Sequence, residues 1–369
     1  MHWKRNLLIL VIAILVTSAP FVLAFIRSDR KISKISRREL VKALKDTTRF
    51  SVIAAFIIFV TGYAVALLQC NCSLSQLSPK GVALIIIGQS WQSLYVFVIP
   101  ALLVFAEVFF TGWENSSLKK LINWDLSVRK DIFYWFLSYS KISQIVMFVT
   151  TLGLFSYTFE SIKQTYSLNL QAHLSPLQQL FIGFILNDFV AYWTHRSLHF
   201  SPLFWGAHRV HHSATTLHIL VAQRSHPLEG VVWKLEQVAI FLLLGASTAT
   251  FFVFGIIDTV LGQIQHARLR WNYGVIGKVL ISPTFHRLHH SIAVEDINKN
   301  FGARLVIWDK LFGTYSPKDI PLDAIGINGV SIDETPILEE FIRPYKEFVS
   351  RLRRTAPELD DRLAEEGRA

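Results

Sequence analysis

The histidines of this chain recur in blocks whose spacing suits one face of a helix. His195 and His199 stand in HRSLH, His208, His211 and His212 in HRVHH, and His286, His289 and His290 in HRLHH, with His266 alone between the last two blocks. On an α-helix, residues three and four positions apart share a face, so each block can aim its imidazoles at one point. The second and third blocks also continue alike into serine, as HRVHHS at 208–213 and HRLHHS at 286–291. Neutral imidazole is the commonest metal ligand, and imidazoles crowded together without a metal repel one another whenever protonated. A chain with this pattern must bring separated helices to a common point, and a metal supplies the physical reason.

Nine such histidines are too many for a structural zinc ion, which is closed by four ligands, often including cysteine. They are enough for two ions with open positions left for substrate or oxygen. The chain has two cysteines, Cys70 and Cys72, one residue apart in a short polar loop, so neither a disulfide framework nor a thiolate metal site is indicated. HRSLH lacks the glutamate of the zinc-protease HExxH pattern, and the Glu-x-x-His pair of ferritin-like bundles is absent. Iron, copper, zinc and nickel all suit an imidazole-rich site, and spacing alone does not choose among them. His226, in RSHPLE, is a further candidate to complete or support the site, and is equally read as a loop histidine capping a turn before Pro227. His218 stands apart from the constellation.

The remaining sequence reads as a membrane protein: of 369 residues, 51% are hydrophobic and 17% charged, with a mean hydropathy of +0.37. The formal charge of +10 does not point to nucleic acid, because the basic residues flank apolar runs rather than forming an aromatic-interleaved patch. Apolar runs at 6–25, 51–68, 82–113, 132–155 and 177–193 are candidate spans. The first is read as a retained anchor rather than a cleaved signal peptide, because nine Lys and Arg between Arg27 and Arg49 follow it and mark a cytoplasmic loop. Lys119, Lys120, Arg129 and Lys130 mark another, and counting crossings places His195 on the cytoplasmic face. The run 238–257 has Gly245 and a Ser247–Thr250 cluster near its middle; a hairpin of two half-length helices is preferred there, since it keeps His266 and His286 beside the earlier blocks. The tail from Ser316 is charged, with a short amphipathic helix expected between Pro344 and Pro357.

At the histidine blocks the sequence resembles the fatty acid hydroxylase superfamily, which includes sterol desaturases, sphingolipid and fatty acid hydroxylases and alkylglycerol monooxygenase. The matching pieces are HRSLH from His195, HRVHH from His208, HRLHH from His286, NFG at Asn300 and WDKLFGTY from Trp308 to Tyr315. The resemblance implies a membrane-embedded, non-haem di-iron centre that uses O2 and two electrons to hydroxylate or desaturate a lipid C–H bond. Some members carry a further histidine one turn before the position of His266, where this chain has Gly262 followed by Gln263. No cytochrome-like domain is fused at either end, so electrons are expected from a separate ferredoxin- or cytochrome-type protein.

The fold expected is therefore all-α, a multi-pass transmembrane helical bundle with a cytoplasmic histidine-rich di-metal cap. Residues 1–170 supply transmembrane helices, 171–318 the catalytic domain and 319–369 a cytoplasmic tail. The metal ligands expected are His195, His199, His208, His211, His212, His266, His286, His289 and His290, with two iron ions as cofactor, O2 as co-substrate and a membrane lipid as substrate. Metal-bound histidine donates its outer N–H to a carboxylate or carbonyl. Asp188, two helical turns before His195 inside an apolar run, is the leading candidate for that role, ahead of Glu229, Asp258, Asn300 and Asp309. Trp193, Trp205 and Trp271 are read as an interfacial belt. Two other readings are a redox-silent zinc-dependent lipid hydrolase or isomerase and a non-enzymatic metal-binding scaffold. With no retention signal at 365–369, a bacterial inner membrane is expected rather than an endoplasmic reticulum.

Overall fold

A computed structural model describes residues 95–139, 172–328 and 335–366. Among these the protein is all-helical, with only two isolated β-bridges, Leu280 to Leu305 and Ser291 to Ile325. Three helices, α1 (Tyr95–Thr111), α2 (Ser117–Asn123) and α3 (Leu126–Tyr139), precede the central helix α4 (Pro176–Phe200). Then come α5 (Pro202–His212), α6 (Pro227–Leu244), α7 (Thr248–His266), α8 (Pro283–His289), the short α9 (Ile307–Leu311) and α10 (Ile337–Glu366).

Local chemistry sets the ends of the helices that matter for the site. A capping box between Ser175 and Gln178 starts α4, with Pro176 in its first turn. The helix stops at Ser201 because the following Pro202 pushes that residue into an extended conformation, φ −82° and ψ 117°. Pro202 then opens α5, so a single residue turns the chain between the first two histidine blocks. The third block repeats the device, since Ser282 caps α8 and Pro283 opens it. Both α6 and α7 pack on α4, while α8 packs on α7 and α10 lies along α5. This packing converges the three blocks and His266 at one end of the bundle.

The chain between α6 and α7 turns at Gly245, which adopts φ 60°, and Ser247 then caps α7. The turn expected inside 238–257 is thus present, and it does return His266 to the other histidines. The two helices are 18 and 19 residues long rather than half-length. Among the described residues no helix is long and apolar enough to cross a membrane. In α4, Gln178, Gln179, Asn187 and Asp188 interrupt the apolar run expected to span at 177–193. The runs at 6–25 and 51–68 and the cysteine loop lie outside the described residues, as do the first part of 82–113 and most of 132–155.

Two further expectations are corrected. Lys130, read as part of a charged loop, is fully buried inside α3, where its ammonium meets Glu340 at 2.6 Å. The short helix expected between Pro344 and Pro357 is the middle of α10, which spans 30 residues. An interior proline costs a helix about 3 kcal/mol. Here a one-sided pattern offsets it: Glu340, Phe341, Tyr345, Glu347 and Phe348 all contact α5 or the segments beside it.

Candidate metal centre

The structure gathers all nine expected histidines into two adjoining groups. His195, His199, His208, His212 and His289 form one, and His211, His266, His286 and His290 the other; within each group one nitrogen per ring lies within 4.8 Å of every other. The first block serves the five-histidine group alone, and the second and third split between the groups as helix periodicity dictates. His208 and His212 (i, i+4) serve the five-histidine group while His211 turns to the four-histidine group, and α8 divides His289 from His286 and His290 in the same way. The groups are neighbours, the rings of His212 and His290 stacking at 4.5 Å between centroids.

The outer ring nitrogens show what the inner ones can do. Nδ1–H of His195 donates to the Phe301 carbonyl at 2.8 Å, that of His289 to Lys299 at 2.8 Å, that of His266 to Gly262 at 2.7 Å and that of His211 to Arg224 at 3.2 Å. A carbonyl only accepts, so each of these four rings carries its proton on Nδ1 and presents a bare lone pair on Nε2. His208 does the same toward Glu229 at 2.9 Å, and Trp233 donates to the same carboxyl oxygen at 3.0 Å. The Nε2 atoms then face one another at short range. His211 and His266 are 3.3 Å apart, His266 and His286 3.0 Å, His286 and His290 3.2 Å, His199 and His208 3.1 Å, and His212 lies 3.2 Å from both His208 and His289.

For His211 and His266 the contact cannot be a hydrogen bond, because both Nδ1 protons are committed outward and both Nε2 atoms are acceptors. Extra protons do not resolve it: burial holds His195 and His266 down to about 4, and burial together with neighbouring imidazoles holds the other seven well below the usual range. Two lone pairs at this separation fit a cation between them. Glu229 agrees, since burial pushes its carboxyl up to about 8 and a cation on His208 is what would keep it ionised at neutral pH. The donor set suits a divalent transition metal in each group.

A loop and a charged hub hold the two groups from opposite sides. In the loop, Lys299 and Phe301 offer the carbonyls to His289 and His195, and Asp309 fixes that loop by accepting from the Phe301 and Gly302 amides at 2.7 and 2.8 Å and from Thr314 Oγ1 at 2.6 Å. Asn300, at φ 58°, ties the loop to the start of α8 through the Phe285 carbonyl at 3.1 Å and to Ser316. Gly302 is required there, because a Cβ would lie 2.6 Å from Ile281 Cδ1 and 2.7 Å from both Asp309 Oδ2 and the Leu305 carbonyl. NFG and WDKLFGTY are thus the mount of the five-histidine group. In the hub, Arg224 carries the carbonyl that receives His211 and pairs with Asp131 at 2.9 Å, which in turn meets His218 at 2.9 Å.

The supporting residues differ from those expected. Asp188 touches none of the nine histidines; its carboxylate accepts from the Leu305 amide at 3.1 Å and Trp308 Nε1 at 2.8 Å and faces Arg304 at 3.5 Å. It lies two turns before His195 in sequence, but its carboxylate is taken up by Arg304, the Leu305 amide and Trp308. Glu229 is the one carboxylate on a ring of the two groups among the described residues. Asp258 pairs with Arg304 at 2.5 Å. His226 belongs to neither group: its Nδ1 accepts from the Leu228 amide at 3.2 Å as the cap of α6, and its Nε2–H donates to the Phe341 carbonyl at 2.8 Å. Trp193 and Trp271 are 39% exposed, whereas Trp205 packs on His199 and His212, at 5.2 and 5.8 Å between centroids, and so belongs to the site wall. Reading the sequence missed Asp131, Arg224 and Glu340, and also Glu107, which accepts from the Ser117 amide at 2.9 Å and from the Arg268 amide. A carboxylate inside an apolar run, as in VFAEVFF, was the available signal for Glu107.

Residues 180–314 match the family model described as fatty acid hydroxylase. The ornithine lipid hydroxylase of Rhizobium tropici is 31% identical over 171 residues, 44% of this chain and 51% of that protein. The alkylglycerol monooxygenase of Caenorhabditis elegans is 31% identical over 141 residues, 38% of this chain and 27% of that protein. A very-long-chain aldehyde decarbonylase of Oryza sativa is 28% identical over 140 residues, 37% of this chain and 52% of that protein. The chain thus spans about half the length, or less, of these relatives. No solved structure matches it. The segment that carries all nine histidines is thus similar to the fatty acid hydroxylase family.

Proposed function

We propose that this protein is a membrane-bound, non-haem di-iron oxygenase that hydroxylates or desaturates a lipid C–H bond, taking two electrons from a separate ferredoxin- or cytochrome-type donor. Hydroxylation balances as RH + O2 + 2 e⁻ + 2 H⁺ giving ROH + H2O. The observation that carries the reading is the pair of adjoining histidine groups whose Nε2 lone pairs converge. The relatives support the lipid substrate, being by name a lipid hydroxylase, a monooxygenase of alkylglycerols and a decarbonylase of long-chain aldehydes. His195, His199, His208, His212 and His289 would hold one iron, and His211, His266, His286 and His290 the other. The irons would supply the oxygen-reducing, C–H-oxidising chemistry, which no protein side chain offers.

The side chains do the rest. Five anchored Nδ1 protons orient Nε2 inward, so little reorganisation accompanies metal binding. Trp205, Trp233 and Phe301 wall the five-histidine group with rings 5.1–5.8 Å from its imidazoles and keep bulk water from the place where the target carbon must sit. His199, at the edge of that wall, is the one partly exposed member of its group. The setting proposed is a bacterial inner membrane with the site on the cytoplasmic side; the apolar runs and their basic flanks support the membrane and the orientation.

The test compares the lipids of cells with and without the gene by mass spectrometry under ¹⁸O2. A lipid that gains one ¹⁸O atom, or loses two hydrogens, only when the gene is present is the expected result. Unchanged lipids alongside full expression would favour the scaffold, and a hydrolysed lipid without ¹⁸O would favour the zinc hydrolase.

A further inference from the structure

We infer that Glu340, on the C-terminal helix α10, is a positioning residue for the metal held by the four-histidine group, acting through Arg224 on His211. The inference rests on reading those histidines as metal ligands.

Glu340, with its side chain 1% exposed, reaches the hub from more than a hundred residues away in sequence. Its Oε2 meets Lys130 Nζ at 2.6 Å and its Oε1 meets Arg224 Nη2 at 3.5 Å. The same guanidinium donates to the Val210 carbonyl at 2.9 Å and to Ser213 Oγ at 2.6 Å, gripping the last turn of α5 on either side of His211 and His212. The carbonyl of Arg224 fixes the His211 ring at 3.2 Å. One residue thus sets both the helix end and the ring, and Glu340 and Asp131 are the two carboxylates that hold that residue.

Charge counting shows why Glu340 matters. Lys130 and Arg224 face Asp131 and Glu340, two cations against two anions, all with side chains at most 1% exposed. Without the Glu340 carboxylate, Arg224 loses one of its two buried carboxylate partners and shifts toward Asp131, the other. The motion pulls on His211. The five-histidine group has other supports, at Lys299, Phe301 and Glu229, and none of these touches the hub. His211 is the ring whose outer nitrogen a hub residue receives, so a change at Glu340 falls chiefly on the metal of the four-histidine group, and His212, on the same gripped turn, passes a smaller share to the other.

The experiment uses full-length protein in detergent, loaded anaerobically with iron(II), and follows metal release to a chromogenic iron(II) chelator. In E340Q, the iron of the four-histidine group is expected to bind about 10- to 100-fold more weakly, while the other changes by much less. E340D should restore most of the loss. Joined to His211→Ala, E340Q should add no further weakening, whereas joined to His289→Ala its effect should add in full. Equal loosening of both irons, full additivity with His211→Ala, or unchanged release would each overturn the inference. Should E340Q not fold, K130M/E340M takes away the Glu340 contact on Arg224 without leaving the Lys130 charge behind, and is expected to fold with the same preferential loosening; wild-type release from that variant would equally overturn the inference. A wild-type protein that binds no metal defeats the proposed function instead, so the two failures are distinct.

Discussion

Each imidazole of the cage has one proton to place, and the placement decides whether its inner nitrogen can bind a metal. Carbonyls at Arg224, Gly262, Lys299 and Phe301 and the carboxyl of Glu229 receive five of those protons. Alanine at His211 or His289 removes one ligand from each group in turn. Either variant is expected to abolish product and lower iron content while leaving the protein in the membrane; retained turnover in either would count heavily against the cage. Acid gives a second test. His195 and His266 are held near 4 against an ordinary value of 6.5, so the folded state prefers them neutral. Their stabilising contribution is complete above about 6.5 and is lost as pH falls toward 4. Thermal melts of metal-free protein should therefore drop steeply between pH 6.5 and 4, and a flat profile would show that the rings are solvated. At this scale the ligands were legible in the sequence, because spacing of three and four is a local property. The partners of their outer nitrogens were not: four of the five are backbone carbonyls, which carry no residue signature, and Asp188 was taken for a partner from its helical register and its place inside an apolar run.

The elements do the converging. α5 and α8 carry near-identical blocks and begin alike, with serine and proline setting the entry angle, so each presents one histidine pattern to two groups. The loop that follows α8 is fixed by Asp309 and has no room at Gly302. Gly302→Ala must displace the Asp309 carboxylate, Ile281 or the Leu305 carbonyl and is expected to cost about 1–3 kcal/mol. A lowered melting temperature with weaker metal binding at the five-histidine group would bear this out; a wild-type melt would show that the loop is loosely packed. The sequence announced α4, the turn at Gly245 and the blocks themselves, since caps and periodicity are written locally. It did not announce α10 in full, because two prolines read as stops, and at Pro344 tertiary contacts carry the helix through. Nor did it announce the hub, whose members at positions 131, 224 and 340 share no period.

Across the whole molecule, the interior is more polar than its composition suggests. Among the described residues Arg224, Arg287 and Lys130 rank with the largest fully buried side chains, alongside separate apolar clusters around Tyr134, Ile219 and Ile281. A fold that holds its metal ligands in place gains stability from the ion they bind, because the unfolded chain does not present them together. Metal bound at about a thousand times its dissociation constant adds roughly 4 kcal/mol, so stripping the metal should lower the melting temperature and refilling should restore it. Melting that ignores the chelator would place the histidines outside any metal site. The claim on which the account turns is that one chain holds two irons. Elemental analysis of protein purified from iron-replete cells without added metal measures this directly: two irons per chain are predicted, and protein carrying no iron, a single ion, or zinc alone would contradict it.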